Sequence, residues 1–175
     1  GDLVILTAPQ DIQAPKGRLI LPEVQVTRDL LDNGCMVMTV TAQNIEKAFE
    51  SIKIKPALVV TDSQIFKLVN DTIPKDIPLT SFSLLMAKIK GDMDLLIKGA
   101  STIDTLEDND KVVILESCAH HPLEGDIART KIPMLLKKYT GKNIDVKVIS
   151  GPVAPDDLSE YKLAIHCGGC MLNRK

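Results

Sequence analysis

An α/β fold, built as two small three-layer units with mainly parallel sheets, is predicted by three observations. Apolar runs of strand length, rich in β-branched residues, recur along the chain; segments with helical spacing lie between them; and a polar, acidic connection divides the series in two. The 175 residues are enough for either unit to bury a core, and with only 3% aromatic residues and no Trp that core must be aliphatic.

In the first unit Leu3 to Leu6 is a strand whose lack of alternation suits burial on both faces. Pro22 to Asp32 reads as a helix, with Pro in its first turn and Asn33-Gly34 as its stop. Met36 to Val40 is the second strand. Ile45, Ala48, Phe49 and Ile52 follow i, i+3, i+4, i+7 and form a helical face that packs on a sheet. Ala57 to Val60 is the third strand, and Thr61-Asp62-Ser63-Gln64 is a capping-box sequence ahead of a helix presenting Ile65, Leu68 and Val69.

A longer helix is expected from Phe82 to Lys98, with Leu85, Ile89, Met93 and Leu96 on one stripe and Gly91 weakening it without ending it. Gly99 to Thr102 and the acidic stretch Asp104 to Asp110 then lead to three further strands, Val112 to Leu115, Val146 to Ile149 and Leu163 to Ile165. Pro133 opens a short helix, Met134 to Tyr139, that Gly141 ends. Gly151 to Pro155 is a turn-rich connector, and Asp156-Asp157-Leu158 reads as a capped helical turn. The boundary is placed at residue 82, giving units 1–82 and 83–175, and a break as late as residue 108 fits the same pattern.

Charge and composition exclude several functions. Lys plus Arg is 21 against 23 for Asp plus Glu, so a net charge of −2 leaves no electrostatic footprint for nucleic acid or an anionic membrane. No run approaches the roughly 20 apolar residues that span a bilayer, and the amino terminus has no basic region followed by a cleavage site, so a soluble cytoplasmic protein is expected. Gly1 is not a start Met and a strand begins at once, which suggests part of a longer protein.

The chemistry concentrates in two clusters. Cys118-Ala119-His120-His121 follows the strand Val112 to Leu115, and His166-Cys167-Gly168-Gly169-Cys170 follows the strand Leu163 to Ile165. Parallel strands put their carboxyl ends on one edge, and neighbours lie about 4.8 Å apart, so short loops can bring both clusters onto one ion or cofactor. Cys-x-x-Cys lets two thiolates share a metal centre, and the paired glycines allow a tight loop. Three Cys and one His suit tetrahedral zinc; three thiolates also suit an iron–sulfur cluster with one iron left for another ligand, and the two weigh about equally. A thioredoxin-type dithiol ranks third, since it needs no Cys-x-His partner.

Other candidates have plainer readings. Cys35 opens a strand away from the cluster and is expected to be a small packing residue. His121 precedes Pro122, whose ring biases it to an extended backbone. His166 is either a core histidine bonded to a carbonyl or a residue orienting the metal loop. Lys16 and Arg18 lie in a solvated turn, and Glu107-Asp108-Asn109-Asp110 in a solvated loop.

Cys-x-His followed by His-Cys-x-x-Cys resembles the cluster motif of the HydF family, the GTPase and scaffold proteins of [FeFe]-hydrogenase maturation. Ala14 to Pro22, Thr80 to Ser83, Lys131-Ile132-Pro133, Asp157 to Lys162 and Cys170 to Arg174 also look like that family, so the resemblance covers the whole chain. It implies a dimerisation domain over residues 1–82 and a cluster-binding domain over 83–175. Cys118, Cys167 and Cys170 would ligate a [4Fe-4S] cluster, with His120 and His166 matching the family's histidines. The fourth iron position would go to one of these, to a carboxylate such as Glu124 or Asp126, or to an exchangeable ligand. The implied function is assembly or transfer of a di-iron precursor of the hydrogenase H-cluster. The implied partners are a second copy, the hydrogenase apoprotein and the radical-SAM maturases of that pathway; the rival is a structural zinc interaction module. The family's GTPase domain needs Gly-x-x-x-x-Gly-Lys-Ser/Thr, which these residues lack, so GTP would act only through a domain outside this chain and no enzymatic activity is expected here.

Overall fold

A computed structural model describes residues 1–9, 17–117, 127–151 and 155–168. The chain forms two compact units, Gly1–Ile89 and Lys90–Lys175, each α/β with a parallel sheet. The division falls at the end of the helix that begins at Phe82.

In the first unit the elements run β1 (Leu3–Thr7), α1 (Leu21–Asp32), β2 (Met36–Val40), α2 (Ile45–Ser51), β3 (Leu58–Thr61), α3 (Phe66–Thr72), β4 (Leu79–Ser81) and α4 (Phe82–Lys90). The sheet order is β2-β1-β3-β4 and every pairing is parallel. All five residues of β1 are buried, as its unalternated apolar run requires of a central strand. Ile5 and Val59 from the sheet meet Ile45 of α2, Val69 of α3, and Ile73 and Ile77 beyond it.

Local chemistry sets the helix ends. Helix α1 starts where the Glu23 carboxylate accepts the Ile20 backbone N–H at 2.9 Å. It closes in a Schellman motif: Cys35 N–H reaches Leu30 O at 2.9 Å and Gly34 N–H reaches Leu31 O at 3.0 Å, with Gly34 at φ +72°. This leaves Cys35 half-buried at the mouth of β2, in keeping with a packing role.

Several details differ from what the residue pattern predicts. Asp62, not Thr61, caps the segment after β3, accepting the Gln64 N–H at 2.7 Å, and a 3₁₀ turn Ser63–Ile65 precedes α3. That tighter turn advances the phase, so Val69 is buried while Leu68 stays 54% exposed. The expected helix from Phe82 to Lys98 is two helices, α4 and α5 (Met93–Thr102), because Asp92 accepts the N–H groups of Asp94 and Leu95 at 3.0 and 3.1 Å and so begins a new helix after Gly91. Helix α4 therefore buries Phe82 and Met86, while Ile89 of the expected stripe is exposed. Strand β4, short and partly polar, has no periodic signal.

The second unit continues from α5 through a 3₁₀ turn Ile103–Thr105 to β5 (Lys111–Glu116), a π-type turn Ile127–Lys131, α6 (Ile132–Thr140), β6 (Asp145–Ser150) and β7 (Leu163–Cys167). The sheet order is β6-β5-β7, again all parallel. Val112, Val113 and Ile114 of central β5 are fully buried. One face carries a core of Leu106, Val112, Leu136 and Leu163, with Ile103, Ile132, Val146 and Ile165 packed around it. Pro133 sits in the first turn of α6, and Gly141 at φ +67° ends it.

The acidic run is more than a solvated loop. Asp110 accepts the Glu107 N–H at 2.7 Å and an ion pair from Lys162 at 2.7 Å, and Asp108 accepts the Asn143 N–H at 2.6 Å, closing the amino edge of the sheet. Asp156-Asp157-Leu158 forms no helical turn; Asp157 accepts the Ser159 N–H at 2.8 Å in a local turn before β7.

Two stability predictions follow from these contacts. Thr7 and Thr61, paired in register between β1 and β3, are fully buried, and among the described residues their hydroxyls have no hydrogen-bond partner. Replacing a buried hydroxyl with a methyl removes its desolvation cost, so Thr61→Val should stabilise the chain by about 1 kcal/mol in urea unfolding. Separately, the Lys162 hydrogen bond, then the Glu107 N–H, hold the Asp110 carboxyl below its ordinary 3.8. A depressed carboxyl contributes stability that is full above 3.8 and fades as pH falls through the lower folded value. Lys162→Met should flatten the acid limb of the urea midpoint against pH below that point.

Candidate metal-cluster edge

Strand β5 ends at Glu116 beside Cys167, its register partner on β7, and Ser150, its partner on β6. The ladder runs one residue further, because the Ser117 N–H donates to Cys167 O at 2.9 Å. The chain therefore enters Cys118 from a residue held directly against Cys167. On the other side the Gly151 N–H donates to Glu116 O at 3.0 Å. Gly168, at φ +84°, turns the backbone immediately after Cys167.

Side chains alternate along a strand, so residues two apart share a face. Leu163 and Ile165 lie in the core beneath α6, and Cys167 continues that face; Val112 does the same for Glu116, and Val146 for Ser150. Cys167, half-buried, and Glu116, 5% exposed, thus stand side by side on the α6 face of the carboxyl edge. The Glu116 Oε2 accepts from Arg129 Nη2 at 3.0 Å and Nε at 3.3 Å, and from the Ser150 hydroxyl. Arg129 Nη2 also donates to Ser150 Oγ at 2.9 Å. Arg129 belongs to the π-type turn before α6, so one buried carboxylate ties that turn to two strands.

His166 stands on the opposite face. It is exposed, and its Nε2 shares a hydrogen bond with Ser117 Oγ at 2.7 Å. It is therefore not a core histidine, and among the described residues its partner is the Ser117 hydroxyl rather than a backbone carbonyl; it braces the residue before Cys118. Cys118, His120, His121, Glu124, Asp126 and Cys170 lie outside the described residues. Among the described residues no three His, Cys, Asp or Glu side chains gather closely enough to hold a metal ion.

The described donors fit a thiolate-bound group. Cys167 offers a soft ligand at a strand end, and the left-handed Gly168 opens the turn that a Cys-x-x-Cys loop needs. Glu116 and Arg129 are absent from the sequence reading. Glu116 carries a signal, a carboxylate directly after the apolar run Val112 to Leu115 and two residues before Cys118; Arg129, in a mixed segment, carries none.

The fold and this edge define a pair of parallel α/β units, one of whose sheets holds Cys167 beside Glu116 and Ser117 at its carboxyl edge. Comparison with known families then assigns both units: residues 1–91 match the hydrogen maturase F dimerization domain, and residues 94–175 match the hydrogen maturase F tetramerization domain. The chain belongs to the HydF family of hydrogenase maturation proteins. No curated protein matches it significantly. Among the described residues no helix is long and apolar enough to cross a membrane.

Arg129→Ala should remove a charged partner from the buried Glu116 carboxylate. Because Arg129 itself is about half exposed, the cost should be about 2 kcal/mol in urea unfolding, below that of a fully buried pair. Arg129→Ala combined with Glu116→Gln should recover part of the loss, since the buried charge that Arg129 balanced is then gone.

Proposed function

We propose that the second unit binds a [4Fe-4S] cluster through Cys118, Cys167 and Cys170, and that the chain serves hydrogenase maturation as a self-associating scaffold. In this role it assembles or passes on a di-iron precursor. The observation that supports this reading is the Ser117–Cys167 backbone bond, which holds the residue before Cys118 against the second cysteine of the set. When bound, the cluster supplies an iron with an incomplete set of protein ligands, to which a precursor can attach and from which it can leave.

The chain's own residues do the positioning. Gly168 turns the backbone immediately after Cys167, His166 braces Ser117, and Arg129 with Ser150 holds Glu116 beside Cys167. Glu116 joins Glu124, Asp126, His120 and His166 as a candidate for the fourth iron position, favoured by sharing the face of Cys167. A carboxylate already shared with Arg129 would exchange more readily than a fourth thiolate, which suits release. The hydrogenase apoprotein and the radical-SAM maturases are the proposed partners, and a reducing cytoplasm is the proposed setting, with no catalytic step in these residues.

Anaerobic reconstitution of the chain with ferrous iron and sulfide should give a brown protein with broad visible absorption and about four irons per chain. Cys167→Ala should lose most of that iron. A colourless product that keeps zinc and no iron would overturn the proposal in favour of a structural zinc module.

A further inference from the structure

Helix α5 carries Met93, Leu96, Ile97 and Ala100 at i, i+3, i+4 and i+7, the spacing of a packed apolar stripe. None of its residues is buried, and Leu96 and Ile97 are 43% and 58% exposed. The helix is well formed despite this, because Asp92 caps it and Asp94 in its first turn complements its dipole. In the same unit, Leu135 and Tyr139 lie one turn apart on α6 and are also exposed, and the Tyr139 hydroxyl donates to Asp104 at 2.8 Å in the turn that follows α5.

We infer that the exposed stripe of α5, flanked by Leu135 and Tyr139 of α6, is the surface through which two copies of this unit associate, joining dimers into tetramers. This rests on the self-association reading above and names its surface. The occupant is a second copy because the matched tetramerization domain spans residues 94–175, nearly all of α5 and the whole of α6. The chemistry agrees, since an isologous contact must complement itself and an aliphatic stripe does so. Asp94 and Lys98, one turn apart and both exposed, supply charges of both signs beside it.

Size favours a dimer of dimers over a free-standing pair. A ten-residue helix is about 15 Å long, too short to hide the roughly 800 Å² per partner of a stable interface. Once the first units have joined two chains, the second contact forms at a raised effective concentration and a smaller patch suffices.

Sedimentation velocity of the 175-residue chain over a range of micromolar concentrations tests this. The wild type should reach four chains, and Leu96→Glu with Ile97→Glu should stop at two, with the circular dichroism spectrum unchanged because both side chains are exposed. The milder Leu96→Ala with Ile97→Ala should raise the dimer–tetramer dissociation constant about tenfold or more. A tetramer that persists in both variants overturns the surface. A wild type that stops at two chains overturns the tetramer contact while leaving the first unit's dimer intact, whereas a wild type that stays monomeric overturns the self-association reading itself.

Discussion

The second unit depends on β5 being hydrogen-bonded on both sides. A strand flanked by two parallel neighbours must be apolar on both faces, and Val112, Val113 and Ile114 meet that demand. The same pairing brings three strand ends to one edge, so the loops leaving β5 and β7 start as neighbours whatever their own conformation. Glu116 marks where the apolar run stops. A carboxylate there must be matched, and Arg129 with Ser150 matches it, anchoring the approach to α6 and the end of β6 at the same point.

Much of this architecture is legible in the residues. Six apolar runs are strands, and their lack of alternation anticipates parallel pairing. Pro22, Gly34, Pro133 and Gly141 mark helix ends because each acts through its own backbone restriction or freedom. The helix failures share a cause: side chains that compete for backbone N–H groups act locally and override periodicity. Asp92 ends a stripe that continues in hydrophobicity, and Asp62 shifts one by a fraction of a turn. Strand β4 is too short to show a period, and exists because β3 offers it an edge.

The candidate site divides similarly. Its cysteines stand out because residue type and spacing carry their chemistry. Glu116 and Arg129 do not, since an ion pair between residues far apart in the chain becomes visible only when the sheet and the turn before α6 are placed together. The exposed stripe of α5 is the converse case. Its spacing is that of a core helix, and only the fold reveals that, among the described residues, none of the helix is buried.

The adjacency of His166 and Cys167 in the motif is deceptive. A β-strand sends consecutive side chains through opposite sides of the sheet, so these neighbouring letters belong to two different chemical environments, one a packed interior rim and the other water. Substitutions at the histidine would then be selected for how they hold Ser117, and those at the cysteine for what its sulfur binds. In a motif ending a strand, alternate positions form separate columns, and each answers to its own surroundings.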